Sequence, residues 1–504
     1  MLSPGTKRVQ PVAPAREPGD GRSTLARRVG LPAGAVAFLL VLLAPPFALP
    51  PAAQRTAAVA ALMAIWWMTE AIPLAATALL PLALFPVLGV LDPQQTAAPY
   101  ANPVIFLFLG GFLIAQAMER WGLHRRVALG VVSAVGAGPR RLVLGFMAAT
   151  AFISLWISNT ATTAMMLPVA LALAEVLRPP EPTAPFPFAK ALMLGIAYAA
   201  TIGGIGTLIG TPPNAVFAAA ARELLGSEVS FVDWMAVGLP VVLVLLPLAW
   251  ALLVFVLFPP GGLGAEAAAL LRAPRAGWGP LRRGEALTLV VFTLTAAAWL
   301  LREPKDLGVF VVPGLTQLAP GVEDATIAIA GALLLFLLPV NWREGVFVLD
   351  WSAAKGLPWG VLLLFGGGLS LARAFESSGL TAEVGQALAA LSGVPGWMLL
   401  GVTVAALIFL SELASNTAVA AMSMPVLAAS AHGLGQEPLV FMAAGALASS
   451  TAFMLPVGTP PNALVFGSGY LGMRDMMRAG IWLNLASIAA VTLVAYLLAG
   501  RALG

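Results

Sequence analysis

The sequence contains two copies of one polar motif, 158-SNTATTAMMLP-168 and 415-SNTAVAAMSMP-425. In each copy Ser-Asn-Thr opens a stretch rich in Ala and Met, and a proline stands ten residues after the serine. Ser, Asn and Thr are the residue types preferred at the start of a helix. The two stretches therefore predict two helices that begin at matching polar positions.

The composition places these helices in a membrane. Of 504 residues, 60% are hydrophobic and 10% are charged, and the mean hydropathy is +0.92. A soluble globular domain has about 25% charged residues. So few charges cannot cover a water-facing surface, and the solvent of this chain is therefore mostly lipid. The sequence has no cysteine, which excludes disulfides, thiolate catalysis and Cys-based metal sites.

Apolar segments of spanning length predict an all-α polytopic membrane protein with about 11 transmembrane helices. The predicted spans are 33–50, 55–70, 72–91, 102–119, 190–220, 234–258, 286–302, 324–341, 358–375, 438–466 and 478–499. Two further apolar segments, 141–177 and 395–431, carry the Ser-Asn-Thr motifs in their middle. Such polar interruptions favour re-entrant hairpins, with pairs of ordinary spans as the alternative.

The distribution of positive charge tests this topology. Residues 1–30 are basic and rich in Pro and Gly, which predicts a flexible cytoplasmic tail. With the tail inside and both hairpins returning to the side they entered, most of the 27 Lys and Arg residues lie inside. A single crossing at either hairpin would remove this bias. The C-terminus is therefore expected outside, and the net charge of +4 reflects topology instead of a nucleic-acid partner.

A longer internal repeat surrounds the motifs. The stretch 106-FLFLGGFLIAQAMERWGL-123 matches 363-LLFGGGLSLARAFESSGL-380 at the offset of 257 residues that also separates the two Ser-Asn-Thr motifs. Further along, 210-GTPPN-214 matches 458-GTPPN-462 at an offset of 248. An odd number of predicted crossings separates the copies, so the repeats are inserted in opposite orientations. Inverted repeats are typical of secondary transporters.

The repeated motifs have the chemistry of ion binding. A helix start presents free N–H groups and a partial positive charge, which suit an anion. The two prolines of each Gly-Thr-Pro-Pro-Asn motif break a helix and free backbone carbonyl and N–H groups. Ser154 and Ser411 lie four residues before Ser158 and Ser415. At that spacing the paired hydroxyls share a helix face, where they can converge on a small hard cation.

These motifs resemble those of the divalent anion/sodium symporter family, the sodium-coupled carriers of dicarboxylates, citrate and sulfate, and in particular its bacterial dicarboxylate transporters. The resemblance covers nearly all of residues 30–500, and its specific parts are 64-AIWWMTEAIPLAATALLPL-82, 203-GGIGTLIGTPPN-214, 449-SSTAFMLPVGTPPNALVF-466 and the two Ser-Asn-Thr motifs. It implies a homodimer in the bacterial inner membrane. Each subunit would have a scaffold domain and a transport domain that moves like an elevator.

The same resemblance implies where the cargo binds, with one cation at each hairpin tip and the carboxylate substrate between the two motifs. By position, the first sodium site would use Ser154, Ser158, Asn159, Gly203 and Gly210. The second would use Ser411, Ser415, Asn416 and Gly458, although the family often has Thr at the position of Ser411. The substrate would contact Ser158, Asn159, Thr160, Thr211, Ser415, Asn416, Thr417, Thr459 and Pro460.

The expected domain organisation follows from the repeats. Its parts are the tail 1–30; scaffold helices 31–97; repeat 1, 98–258, with hairpin 141–177 and broken helix 190–220; a linker and scaffold helices 259–354; and repeat 2, 355–500, with hairpin 395–431 and broken helix 438–466.

Charge balance favours coupling to a cation. An unpaired dianion in a low-dielectric cavity costs on the order of tens of kcal/mol. Between Ile153 and Leu177 the only charge is Glu175, and neither motif region contains Lys or Arg. Helix ends supply about half a charge each, so bound Na⁺ must supply the rest. We therefore expect Na⁺-coupled import of C4-dicarboxylates such as succinate, malate or fumarate, with no organic cofactor.

Several alternatives stay open at this stage. A sodium-independent dicarboxylate exchanger and a sulfate or tricarboxylate carrier belong to the same transporter class. A membrane-embedded enzyme is disfavoured because the sequence shows no nucleophile–base pair or metal cluster. Charges within the spans, among them Glu376, Glu412 and Arg373, are expected to hold hairpin or interface backbone, with a functional role for Glu412 as the alternative.

Overall fold

The structure is a computed structural model, and it describes residues 24–43, 49–123, 126, 130, 138–177, 186–261, 280–306, 311–388 and 393–503. Within these ranges the chain is mostly helical, as predicted, and the only strands form two short antiparallel hairpins. The first 23 residues of the predicted tail lie outside the described residues.

The helices of the first half run from the N-terminus to the middle of the chain. They are α1 (Thr24–Leu43), α2 (Pro51–Thr69), α3 (Leu74–Thr77), α4 (Leu80–Leu88), α5 (Pro93–Ala97), a 3₁₀ turn (Ala98–Ala101), α6 (Pro103–Arg120), α7 (Pro139–Ser154), α8 (Asn159–Val176), α9 (Pro187–Gly204), α10 (Pro212–Leu225), α11 (Phe231–Ala251) with a π-helical end (Leu252–Leu257), and α12 (Arg283–Leu300).

The second half begins with the two short strand pairs and continues as helices. Its elements are β1 (Lys305–Asp306), β2 (Val311–Val312), α13 (Leu315–Leu318), α14 (Asp324–Leu337), β3 (Pro339–Asn341), β4 (Val346–Phe347), α15 (Trp351–Lys355), α16 (Trp359–Ser377), α17 (Leu380–Leu388), α18 (Gly396–Leu413), α19 (Asn416–Gly433), α20 (Pro438–Ser449), α21 (Pro460–Phe466), α22 (Met473–Val494) with a π-helical end (Ala495–Ala499), and α23 (Gly500–Ala502).

The described residues contain 7 helical stretches that are long and apolar enough to cross a membrane. Shorter apolar stretches are Leu74–Leu88, Asp324–Leu337 and Pro438–Ser449. The chain is thus a multi-pass helical protein, while the number of about 11 spans remains a prediction.

The first predicted span was wrong in position. It was expected at 33–50, with residues up to 30 in the flexible tail, but α1 begins at Thr24 and ends at Leu43. The residues that follow Thr24, Leu-Ala-Arg-Arg, are good helix formers. Arg27 is fixed by donating from Nε to the backbone carbonyl of Glu70 (3.1 Å). Basic residues therefore extend the helix beyond its apolar part.

The repeated Gly-Gly pairs are sites of close helix crossing. A Cβ atom on Gly110 would lie 2.6 Å from the backbone of Ala328 in α14. A Cβ on Gly367 would lie 2.4 Å from the backbone of Ala78. Only glycine permits such an approach, so the repeat preserves two tight contacts that hold α6 and α16 to their neighbours.

Each repeat contains a helical hairpin followed by an interrupted helix. Hairpin 1 is α7 and α8 with tip 1 at residues 155–158, and hairpin 2 is α18 and α19 with tip 2 at residues 414–415. Broken helix 1 is α9 and α10 with break 1 at residues 205–211, and broken helix 2 is α20 and α21 with break 2 at residues 450–459. These bounds lie within a few residues of the predicted ones.

The two repeats exchange the second halves of their broken helices. Both arms of each hairpin pack against the first half of the broken helix in the same repeat, whereas α21 packs on α8 and α10 packs on α19. Tyr470, just beyond α21, donates a hydrogen bond to Glu175 near the far end of α8 (3.4 Å). The helices α8 and α21 therefore run in the same direction. This exchange places the start of each second half beside the hairpin of the other repeat.

Candidate functional site

Both Ser-Asn-Thr motifs lie at helix starts, as predicted. Helix α8 begins directly after Ser158, whose Oγ accepts a hydrogen bond from the N–H of Ala161 (3.4 Å). Helix α19 begins directly after Ser415, which makes no side-chain cap bond. All three residues of each motif are half-buried. Each tip thus presents hydroxyl and amide groups at the electropositive end of an 18-residue helix.

The two Gly-Thr-Pro-Pro-Asn motifs also form helix starts. Thr211 and Thr459 are buried and have nearly the same extended backbone, with φ of −144° and −142°. The helices α10 and α21 then begin at paired prolines, which lack the N–H groups that a first turn leaves unbonded. In the structure each of these helices is interrupted just before its paired prolines.

The last residue of each motif ties the break together. Asn214 Nδ2 donates to the carbonyl oxygens of Thr207 (2.7 Å) and Gly204 (3.0 Å). At the matching position, Asn462 Nδ2 donates to the carbonyl of Leu455 (3.0 Å). In both repeats the acceptor lies seven residues before the asparagine. No role was expected for these asparagines, although their place in a repeated motif indicates one.

The first predicted cation site is a cluster of converging oxygens. Ser154 is fully buried, and its hydroxyl donates to Asn159 Oδ1 (2.8 Å) and to the carbonyl oxygen of Ala200 in α9 (2.7 Å). A hydroxyl has one proton, so two oxygens compete for it. A hard cation prefers such oxygen ligands. The structure thus brings Ser154 and Asn159 together and adds Ala200, whose carbonyl the sequence could not identify.

Glycines let break 1 approach this cluster. A Cβ on Gly203 would lie 2.3 Å from the carbonyl oxygen of Ala151, and one on Gly210 would lie 2.9 Å from that of Ser154. Gly204, which was not predicted, would clash with Asn159 Oδ1 at 2.2 Å. The predicted Gly203 and Gly210 therefore lie against hairpin 1, and the absence of side chains at all three positions leaves room for it.

The second predicted cation site differs from the first in how its oxygens are hydrogen-bonded. Ser411 Oγ, Asn416 Oδ1 and Thr459 Oγ1 are buried, and none has a hydrogen-bond partner among the described residues. Buried polar atoms are almost always paired, so each of these oxygens is available to a ligand. Gly458 lies beside the same tip, because a Cβ there would be 3.5 Å from the carbonyl oxygen of Glu412.

A carboxylate supports this second site. Glu412 is buried at the end of α18, and its Oε1 accepts from the N–H groups of Phe453 (2.6 Å) and Met454 (2.8 Å) and from Asn484 Nδ2 (2.8 Å). Its Oε2 accepts from the N–H of Leu455 (3.0 Å). Glu412 therefore holds the backbone of break 2, which is the structural role expected from the sequence.

The remaining predicted substrate residues occupy less uniform positions. Thr160 and Thr417 are half-buried in the first turns of α8 and α19. Pro460 is exposed at the first position of α21 and can offer no N–H donor. Contact of these residues with a substrate remains a prediction.

The chain matches known transporters over nearly its whole length. The family model described as the sodium:sulfate symporter transmembrane region matches residues 26–503. Sodium-dependent dicarboxylate transporters SdcS of Staphylococcus saprophyticus and of Staphylococcus aureus strain MRSA252 are each 42% identical over 489 residues. Each match covers 94% of this chain and 92% of the relative.

Two solved structures share the fold at low sequence identity. The YdaH transporter of Alcanivorax borkumensis gives a TM-score of 0.57 at 16% identity, over 88% of this chain and 99% of that one. MtrF of Neisseria gonorrhoeae gives 0.55 at 14% identity, over 82% of this chain and 85% of that one. Both similarities concern the arrangement of the helices alone.

Proposed function

The chain belongs to the sodium:sulfate symporter family, and on that premise we propose that it is a sodium-coupled importer of C4-dicarboxylates such as succinate, malate and fumarate. Membership makes the protein a multi-pass membrane transporter and not an enzyme. Its curated relatives are named for sodium-dependent dicarboxylate transport. The Na⁺ ions and the dicarboxylate are both cargo.

The observation that carries this proposal is the pair of matching helix starts at the two hairpin tips. Ser158, Asn159 and Thr160 begin one helix, and their three counterparts begin the other. Each start can bind one carboxylate through its N–H groups and hydroxyls. A substrate with a carboxylate at each end suits two such sites better than a compact anion does. Sulfate, for which the family model is named, is the second candidate.

The oxygen groups beside each tip support Na⁺ as the companion of the dianion. Ser154 and Asn159 would hold one ion with backbone at Gly203 and Gly210, and the unpartnered oxygens of tip 2 would hold the other. No Lys or Arg occurs in residues 142–177 or in 396–466. The dianion therefore needs mobile cations for charge balance. Transport of more than two Na⁺ per dianion would gain about 2.3 kcal/mol per net charge per 100 mV.

Three ion pairs bear on the proposed elevator movement. We assign the hairpins, the broken helices, α11 and α22, which pack together, to the transport domain and the remaining helices to the scaffold. Among the described residues, the pairs that join the two domains are Arg222 with Glu323 (2.9 Å), Glu223 with Arg373 (3.2 Å) and Glu228 with Arg302 (2.8 Å). The hydrogen bond from Arg222 lowers the pKa of Glu323 below its usual value. An elevator movement would separate all three pairs, which lie on the predicted outer side.

Cross-linking tests this movement, because the chain has no natural cysteine. A short cleavable bis-maleimide would join Glu223→Cys to Arg373→Cys, and cross-linked protein should lose uptake until the linker is cut. The control joins Lys190→Cys to Asp475→Cys, a pair within the transport domain whose charges are 2.8 Å apart. That cross-link should leave uptake intact. Normal uptake by the first cross-linked protein would contradict the elevator.

Uptake into proteoliposomes tests the transport reaction itself. Radiolabelled succinate should accumulate with an inward Na⁺ gradient at least tenfold faster than with K⁺ in its place. Dependence on succinate loaded inside would instead favour the sodium-independent exchanger. Competition by unlabelled malate and fumarate, but not by sulfate or citrate, is expected for a C4-dicarboxylate carrier.

The proposed cellular arrangement completes this assignment. We propose a homodimer in the bacterial inner membrane, with the N-terminus in the cytoplasm and the C-terminus outside. The inward bias of positive charge supports the orientation. Accessibility of a cysteine added after Leu503 to an impermeant maleimide on intact cells would test it, with labelling expected from outside.

A further inference from the structure

The carboxylate of Glu412 connects three separate parts of the second half. It lies on α18 next to tip 2, and it accepts hydrogen bonds from three consecutive N–H groups of break 2, at residues 453–455. It also accepts from Asn484, a fully buried residue of α22. All four partners are donors, and the two oxygens of the carboxylate accept from each of them. One side chain thus fixes the distance between the hairpin tip and the broken helix.

The same carboxylate lies next to the groups expected to bind the second cation. Glu412 follows Ser411 directly in the chain, and a Cβ on Gly458 would lie 2.9 Å from its Oε2. The oxygens of Ser411 and Asn416 come from hairpin 2, while Gly458 and Thr459 come from break 2. The spacing between these two groups of ligands is the spacing that Glu412 sets.

At the matching position, the sequence of repeat 1 has no carboxylate. The position that matches Glu412 at the offset of 257 is Leu155. Break 1 is held instead by local backbone bonds, from the N–H of Ile205 to the carbonyl of Ile202 (3.3 Å) and from Gly206 to Gly203 (3.0 Å). The described contacts of the first tip are therefore with neutral groups, whereas the second tip has a carboxylate beside its expected cation ligands.

We propose that Glu412 is a positioning residue for the second Na⁺, which it favours by holding tip 2 and break 2 at the binding distance and by adding a negative charge beside the site. This inference rests on the proposed function. A cation near a buried carboxylate is attracted more strongly than the same cation near neutral oxygens. The second site is accordingly the tighter of the two, and it fills at lower Na⁺ concentration than the first.

The decisive variant is Glu412→Gln, which keeps the size of the side chain but removes its charge. The amide NH₂ would also face N–H donors of break 2, so one of the four contacts would be lost. We expect the Na⁺ concentration for half-maximal succinate uptake to rise at least tenfold, while uptake at saturating Na⁺ stays above half of the wild-type rate. The matched control is Glu376→Gln, which makes the same change at an exposed helix end and should leave Na⁺ dependence unchanged.

A second variant keeps the charge and removes one support. Asn484→Ala deletes the donor from α22, and the Na⁺ requirement should rise about threefold because the carboxylate is held less firmly. Direct binding of radioactive ²²Na⁺ to purified protein, without substrate, should show the same order of Na⁺ affinities. The wild-type protein should bind most tightly, then Asn484→Ala, then Glu412→Gln. This measurement does not depend on a successful transport cycle.

Two results would overturn the inference. One is Glu412→Gln with wild-type Na⁺ dependence in both uptake and binding. The other is an equal loss of uptake at every Na⁺ concentration together with a lower melting temperature, which would make Glu412 a purely structural residue. If the wild-type protein itself bound no Na⁺, the proposed function would fail instead, so the two failures are distinguishable.

Discussion

The two hairpin tips have matching sequences but different surroundings. At tip 1 the hydroxyl of Ser154 contacts Asn159 and a carbonyl of α9, whereas at tip 2 the matching Ser411 hydroxyl has no hydrogen-bond partner among the described residues. Tip 2 is held by the carboxylate of Glu412, which has no equivalent at tip 1. The duplicated segments have therefore kept their helix starts, while the contacts that support them have diverged.

This difference has a physical cause in the lengths of the two breaks. Helix α9 continues to Gly204, so the N–H groups just beyond it still find carbonyls one turn back. Helix α20 ends at Ser449, three residues earlier by the offset of 248, and the N–H groups of residues 453–455 need another acceptor. A buried N–H without a partner is costly, and Glu412 removes that cost.

The largest effect should come from the asparagines of the two tips. Asn159→Ala and Asn416→Ala should each reduce succinate uptake more than a hundredfold, because each removes a group expected to bind both cation and substrate. The melting temperature in detergent should fall only for Asn159→Ala, whose side chain bonds Ser154. Asn341→Ala, in a short strand away from both tips, serves as the control. Near-normal uptake by either tip variant would break the site assignment.

Glycine substitutions should have the next largest effect, and their cost in stability should differ between break 1 and break 2. In Gly203→Ala the new Cβ would meet the backbone oxygen of Ala151 at 2.3 Å, whereas in Gly458→Ala it would meet a side-chain oxygen at 2.9 Å. Backbone cannot move aside easily, so Gly203→Ala should cost about 1–3 kcal/mol and Gly458→Ala less. Thermal melting in detergent measures the difference. Gly401→Ala, with no atom closer than 3.7 Å, should be almost neutral, and equal losses at the two breaks would contradict this view of them.

Substitution of the two motif asparagines should likewise cost more stability at break 1 than at break 2. Asn214 donates to three carbonyls and Asn462 to one. With about 1 kcal/mol per hydrogen bond, and only two protons on each amide nitrogen, Asn214→Ala should cost about 2 kcal/mol and Asn462→Ala about 1 kcal/mol. The two melting temperatures, compared under one set of conditions, check the order. A larger fall for Asn462→Ala would mean that break 2 depends on this residue more than its contacts indicate.

The smallest effect on stability should come from the two serines. Ser154→Ala removes a bonded hydroxyl and should cost about 1 kcal/mol, while Ser411→Ala removes an unpartnered one and should cost nothing. Both should raise the Na⁺ concentration needed for uptake, because each loses an expected cation ligand. Melting curves measure how much each serine stabilises the fold, and Na⁺ titrations measure how much it contributes to Na⁺ binding. If Na⁺ dependence changed in neither variant, the serines would be structural only.

Much of the fold could be predicted from local patterns. The starts of α8 and α19 follow from Ser-Asn-Thr, and the starts of α10 and α21 follow from Pro-Pro, because capping and the missing N–H of proline act on adjacent residues. The start of α1 was placed too late because a hydropathy count ends a span where charges begin. A helix continues through Arg27 and Arg28 as long as its backbone bonds are formed.

The candidate site was predictable in its side chains but not in its backbone. The spacing of the sequence paired Ser154 with Ser158, while Asn159, Gly203 and Gly210 were expected from the family resemblance. The carbonyl of Ala200 belongs to a residue with no distinguishing chemistry, and only the packing of α9 against hairpin 1 brings it to Ser154. Likewise, the sequence indicated a structural role for Glu412 but not its partners at 41 to 43 residues' distance.

The sequence by itself determined that the chain is a helical membrane protein with two copies of a polar helix start, each followed by a paired-proline motif. It could do so because composition, capping and proline act locally and need no knowledge of distant contacts. Tertiary structure alone decided that α10 and α21 cross to the opposite repeats and that one tip is supported by hydroxyls and the other by a carboxylate. Those outcomes depend on which buried donors and acceptors meet across the packed helices, and identical motifs find different partners where their neighbours differ.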